Sequence, residues 1–393
     1  MDLDAIRAEL SRQRLDGWLF VDFRRRDPIA YDVLGLPAGT PSRRWAYLIP
    51  AEGPCRKLLH RIEPRQLDAV PGTSRHYATW RQWQAGLAEL LGGCRRVAMQ
   101  YSPENALPYL ATVDAGTVEL VRRLGAEVVS SAALVARFQG LLDAVQVESH
   151  REAGERVHAV LAEVFAEIGR RSRTDRPMCE REAADAILAG FAARGIVPEG
   201  HGPNVSAGAN AADPHYDPPA SGSAALTPNT AVLIDLWGKL AGDARSVVYD
   251  ITWCGWIGPE APPAEYVRRF EVAAAARDAA LETIRRAYAE GREVRGCDAD
   301  DAARAVIDAA GFGAFFTHRT GHAIDTRTHG SGVNLDNFET CDTRPILPGA
   351  CFSIEPGIYD PPWGVRTEIN AVVHPVTRQL RVYGPVQREL VRL

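Results

Sequence analysis

The sequence predicts two domains, a small α/β domain followed by a larger α+β domain. Two observations carry this. Short apolar strands alternate with helical segments through the first third of the chain, and beyond a long amphipathic helix the strands come mostly in hairpin-like succession, with helices between them. A length of 393 residues accommodates both, with expected spans of 1–144 and 145–393.

The elements follow in order. Residues 4–14 read as a short helix with Ile6 and Leu10 on one face, ended at Asp16-Gly17. Trp18–Val21 and Trp45–Ile49 read as buried strands. Trp80–Leu91 is helical in pattern and stopped by Gly92-Gly93; Arg96–Met99 is a strand, Thr117–Leu124 a helix and Ala126–Val129 a strand. A long helix reaching Arg170 carries Val157, Leu161, Val164, Phe165 and Ile168 on one stripe. A second helix covers Cys179–Arg194, and His201–Pro228 has the Gly, Pro, Asn and Asp content of a loop. Strands are expected at Ala231–Trp237 and Ser246–Ile257, helices at Pro263–Glu290 and Asp298–Ala310, and strands at Ala350–Glu355, Val365–Val373 and Leu380–Tyr383.

Composition narrows the function. A net charge of −5 offers no basic footprint for nucleic acid. Seven cysteines, none in a CxxC pair, read as reduced thiols of a cytoplasmic protein. The start, Met1–Ile6, lacks the basic and apolar regions of a signal peptide, and no apolar run is long enough to span a bilayer.

Chemistry concentrates in the last part of the chain. Asp235, Asp250, His322, Glu355 and Glu368 each sit in an otherwise apolar or strand-like stretch. A carboxylate there is costly to bury unless it is paired or binds a metal. Taken singly, Asp235 also reads as a strand end reaching solvent, Asp250 as a residue on a half-exposed sheet, and Glu368 as the partner of Arg366. Period-two alternation puts Val248, Asp250 and Thr252 on one face, a polar face that suits a metal site. Asp243 is the alternative ligand to Asp250. His318, His322 and His329 cluster beside glycines that permit close backbone approach, while His215 lies in the loop-rich segment. Together the five residues can form two oxygen-rich sites sharing carboxylates, which favours manganese or a similar ion over structural zinc.

These motifs, Asp235 in IDLWG, Asp250 in YDIT, His322 in RTGHAI, Glu355 in SIEPGIY and Glu368 in VRTEIN, resemble in order those of the pita-bread metallopeptidase family. That family includes methionine aminopeptidase, aminopeptidase P, prolidase and the metal-free creatinase. The resemblance covers about 148–393, and more weakly a creatinase-type N-terminal domain before it. It implies a C-terminal pita-bread fold and two divalent ions, manganese first, with cobalt or zinc as alternatives. Asp235 would hold one ion, Asp250 and Glu368 would bridge, and His322 and Glu355 would hold the other. Glu355 would also handle the proton of the attacking metal-bridging hydroxide, with His215 and His329 contacting the scissile peptide and the oxyanion. His318 and Arg366 match substrate-binding positions of the proline-specific branch. The activity implied is hydrolysis of small proline-containing peptides by a cytoplasmic homodimer. An Xaa-Pro dipeptidase is favoured, ahead of an Xaa-Pro aminopeptidase, a creatinase-like C–N hydrolase or a silent binding module. The chain departs from the pattern in three places. There are extra residues between Asp235 and Asp250, and His201 stands where proline-specific members often carry a tyrosine. After His322 comes Ala-Ile-Asp-Thr-Arg, whose Arg327 is a candidate for a substrate carboxylate.

Overall fold

The computed structural model describes residues 1–393 and divides between Gln139 and Gly140. The first unit contains α1 (Leu3–Arg12), β1 (Gly17–Asp22), α2 (Pro28–Leu34), β2 (Trp45–Pro50), β3 (Arg56–His60), β4 (Thr73–Tyr77), α3 (Trp80–Leu91), β5 (Arg96–Met99), α4 (Ala115–Arg123), β6 (Glu127–Ser130) and α5 (Ala132–Phe138). Its six strands form one mixed sheet in the order β4-β3-β2-β1-β5-β6. Trp18 and Phe20 of β1 enter one core with Ile6, Leu10 and Tyr31, while Leu19 and Val21 enter another with Trp83 and Leu87. A sheet covered on both faces needs apolar residues at every position, which is why Trp18–Val21 reads as an unbroken run. In α3, Thr79 and Gln82 form a capping box at the start and Gly92 ends the helix with left-handed backbone.

The second unit contains α6 (Ala144–Arg171), α7 (Glu180–Ala193), β7 (Ile196–Val197), β8 (Asn204–Ala207), β9 (Thr230–Leu240), β10 (Tyr249–Ile257), α8 (Ala264–Ala289), α9 (Gly296–Ala309), β11 (Cys351–Ile354), β12 (Gly357–Asp360), β13 (Trp363–Arg366), β14 (Ile369–Val373), β15 (Leu380–Val382) and β16 (Val391–Arg392). Residues 140–143 belong to it, because Leu142 N–H donates to the Gly349 carbonyl at 2.8 Å and Leu141 bridges Ala350. The long hairpin β9–β10 is its centre, extended by β8, β7 and β16. The apolar stripe of α6 packs with Ile187 and Phe191 of α7 and with Ile234 and Ile251 of the hairpin. No helix is long and apolar enough to cross a membrane.

Two expectations are corrected. The segment 201–228 is not all loop: β8 pairs with β9, and Gly208–Ala212 forms a short 3₁₀ turn. Residues 365–373 are not one strand. β13 pairs with β12, β14 pairs with β11, and the chain changes partner at Thr367-Glu368. At that junction Glu368 N–H donates to the Thr252 carbonyl of β10 at 3.0 Å, and the Thr367 hydroxyl accepts from buried Arg277 at 2.8 Å. The Glu368 backbone N–H and the Thr367 hydroxyl in the middle of the run thus meet different partners rather than a single ladder.

Candidate metal centre

The centre is assembled by register. Asp235 on β9 lies opposite Thr252 on β10 and Asn204 on β8. Asp250, two residues before Thr252, shares its face. Its backbone N–H is held by Asn370 Oδ1 of β14 at 2.8 Å. Glu368, at the junction before β14, accepts the Thr252 hydroxyl on Oε2 at 2.9 Å. His322 comes from the segment running along β11. Its N–H donates to Ser353 Oγ at 2.9 Å, and its carbonyl accepts from Ser353 N–H at 2.9 Å. This approach requires Gly321, where a Cβ would stand 2.0 Å from the Ser353 carbonyl oxygen. Glu355 follows β11, and its Oε1 accepts from Ser353 Oγ at 3.0 Å.

Asp250, His322 and Glu368 present ligand atoms all within 4.8 Å of one another, and all three are buried. His322 Nε2 stands 3.3 Å from Glu355 Oε1 and 3.7 Å from Asp250 Oδ2. Asp235 lies outside the tight trio, and the Arg366 guanidinium clamps its Oδ2. Asp243, the alternative ligand, lies on an exposed turn where its carboxylate caps Arg245 N–H at 2.8 Å.

The electrostatics leave this group incomplete on its own. Burial, followed by repulsion from Asp235 and Glu355, lifts the Asp250 carboxyl well above the usual range. Burial and the Asp250 charge do the same to Glu368, and burial raises Asp235 against the pull of Arg366. Burial pushes His322 down to about 3, so its imidazole is neutral at ordinary pH. Asp250 Oδ1 and Glu368 Oε1 are buried with no hydrogen-bond partner. Unsatisfied buried acceptors are rare and need a reason. Hard oxygen donors beside a neutral imidazole are the donor set a divalent cation takes, so these residues fit a metal.

The other expected site residues surround the trio. His215 and His329 open onto the same cleft, a space of about 990 Å³, and the His329 ring lies 4.4 Å from that of His322. His318 has both ring nitrogens engaged, Nδ1 with the Arg319 carbonyl and Nε2 with Tyr359 OH, each at 2.7 Å. Arg366, expected to contact substrate, lines the same cleft, and its donors are engaged by protein acceptors there. Beyond Asp235 it reaches Thr252 Oγ1 at 3.0 Å, Tyr359 OH at 3.1 Å and the Pro214 carbonyl at 3.3 Å. Arg327 is tied to Asp325 and Ser331, and is not on the cleft wall.

Two anchors are absent from the sequence reading. Buried Asp300 of α9 accepts Thr320 N–H at 2.8 Å, Thr320 Oγ1 at 2.6 Å and Asn337 N–H at 2.9 Å, fixing the loop between His318 and His322. Glu180, at the start of α7, accepts from Ala207 and Ala224 N–H, Asn210 Nδ2 and Tyr216 OH at 2.6–3.0 Å, gathering the loop that carries His215. Neither stands in a motif. For Glu180 the one local signal is a carboxylate in the first turn of α7, which is common without any such role; Asp300, further into α9, has not even that.

The profile of metallopeptidase family M24 matches residues 148–375. The chain belongs to this family: it is a metallopeptidase with a small N-terminal domain and a pita-bread domain. The probable dipeptidase PepE of Mycobacterium tuberculosis (strain H37Rv) is 28% identical over 354 residues, 87% of this chain and 84% of the relative. The Xaa-Pro dipeptidase of Lactobacillus helveticus is 32% identical over 186 residues, 46% of this chain and 44% of that protein. The crystal structure of dipeptidase PepE from Mycobacterium ulcerans superposes with a TM-score of 0.71 at 24% identity, covering 99% of this chain and 96% of that one.

Proposed function

We propose that this metallopeptidase hydrolyses the bond before proline in small peptides, with Xaa-Pro dipeptides favoured. The observation that carries the reading is the buried Asp250–His322–Glu368 trio with two unpartnered carboxylate oxygens, set among motifs of the proline-specific branch. Asp235, Asp250, His322, Glu355 and Glu368 would hold two divalent ions, manganese in this reading. Such ions supply a water acidic enough to attack at neutral pH and a Lewis acid for the carbonyl. Glu355, beside His322 Nε2, takes the proton of the attacking water. His215 and His329 donate to the scissile carbonyl as it becomes an oxyanion, a role that needs no N–H on the leaving proline. Arg366 and Thr252 are positioning residues: they span Asp235 and Glu368 and hold both carboxylates on one side of the cleft. His318, kept neutral by burial, supports Tyr359 and through it Arg366.

The L. helveticus relative and the full-length likeness to a probable dipeptidase support the dipeptidase form. An Xaa-Pro aminopeptidase is the second reading, since the cleft is larger than a dipeptide. A homodimer in the cytoplasm belongs to the same reading. The test is to strip the protein of metal and assay Ala-Pro and Ala-Pro-Ala with and without manganese. Manganese-dependent cleavage of the dipeptide alone is expected. Cleavage of the tripeptide as well selects the aminopeptidase, and cleavage of neither overturns both.

A further inference from the structure

One wall of the cleft is unlike the metal floor. Glu199 lies between β7 and β8 and is held at both ends. Its carbonyl accepts the Trp237 indole N–H at 2.7 Å, and its Oε2 accepts Thr328 N–H at 3.1 Å. The residue lines the cleft. Trp237 follows Asp235 by two residues on β9, and Thr328 adjoins His329, so the backbone of Glu199 is tied to one side of the site and its carboxylate to the other. The His201 ring stands edge-on to the Trp237 ring at 4.9 Å and lines the same wall.

A fixed carboxylate beside two aromatic rings accommodates a long aliphatic stem that ends in a cation. The stem lies along the rings and the charge meets the carboxylate. We propose that Glu199, with Trp237 and His201, selects a lysine or arginine side chain on the residue before the scissile bond. The inference rests on the peptidase reading above and names its substrate class. The α-ammonium of a dipeptide is the other cation available. It is attached one carbon from the scissile carbonyl and therefore stays with the carboxylates of the metal centre. It is also common to every dipeptide, so it creates no preference among them.

The experiment compares Lys-Pro with norleucine-Pro, which share the stem and differ in the charged end, on the manganese-loaded full-length protein. Wild type is expected to prefer Lys-Pro by about tenfold in kcat/KM. Glu199→Gln keeps an acceptor for Thr328 N–H, and in it the ratio should fall toward unity. Glu199→Lys should instead favour Glu-Pro over Gln-Pro. A wild-type ratio near unity overturns the inference and leaves the Xaa-Pro reading standing. So does an equal loss for both peptides in Glu199→Gln, which would assign Glu199 to the α-ammonium. Inhibition by lysinamide against norleucinamide, and cleavage of Lys-Leu against norleucine-Leu, report the same preference without proline. If those pairs discriminate while no Xaa-Pro peptide is cleaved, the proline reading fails and the Glu199 assignment holds.

Discussion

Asp22 in the N-terminal unit and Glu368 in the C-terminal unit are both 2% exposed, and they have opposite fates. Asp22 accepts the N–H groups of Asp27 and Arg25 at 3.0 Å and the Tyr31 hydroxyl at 3.1 Å, so both its oxygens are satisfied by the turn after β1 and by α2. Glu368 keeps one oxygen without a partner, as does Asp250. Burial of a carboxylate therefore does not identify a functional site. What the fold leaves unsatisfied does, because a structural carboxylate that lacked a partner would only cost stability.

The largest effect should separate these two kinds of acid. Asp250→Asn is expected to lower kcat/KM by about a thousandfold or more. It should also abolish the manganese-induced rise in melting temperature while leaving the metal-free melting temperature undiminished, because a repelling charge is removed. Asp22→Asn should do the reverse, costing about 1 kcal/mol of stability and retaining the manganese response. Melting curves with and without metal check both, and an Asp250→Asn protein that still responds to manganese would undo the ligand assignment.

Asp300 tests whether a satisfied carboxylate in the C-terminal unit acts at a distance. Asp300→Ala frees Thr320 and the loop between the two histidines. Metal affinity and kcat/KM should each fall by about 10- to 100-fold. If activity per folded molecule is unchanged, the anchor is purely structural.

The smallest effect concerns a buried base. His150, on α6, engages the Val248 carbonyl at 2.7 Å through Nδ1, and burial lowers its pKa to about 4. The unfolded chain, with an ordinary histidine near 6.5, takes up the proton first. Its stabilising contribution is therefore intact above about pH 6.5 and is lost as pH falls toward 4, by about 2 kcal/mol at pH 5. Denaturant unfolding at pH 7 and pH 5 should show a smaller drop in His150→Gln than in wild type.

Much of this was legible in the sequence. The apolar run at 96–99 and the capped, periodic α6 are plain in the sequence, and the alternation along 247–253 places Asp250 and Thr252 on one face. The helix Pro28–Leu34 carries an Asp cap and a first-turn proline, a signal present but not read. The break at Thr367 could not be read, because strand propensity does not reveal a change of partner. Asp300 and Glu180 were hidden for a related reason: their roles depend on loops far away in sequence. For Arg366 the motif gives identity without orientation: it matches a substrate-binding position, and the packing adds that it lines the cleft with its guanidinium on Asp235.

Asp235 and Thr252 face each other through cross-strand pairing, whereas the hairpin turn between the strands is exposed over residues 241–245, with Gly242 and Asp243 at the surface. Distance along the chain is thereby uncoupled from distance in space. A lineage can lengthen this connection without retuning its chemistry, and a search keyed to fixed ligand spacing will pass such members by. In the laboratory the same turn is a port, where a tag or a fluorophore can be spliced between Gly242 and Asp243 with the ligand register left to the strands.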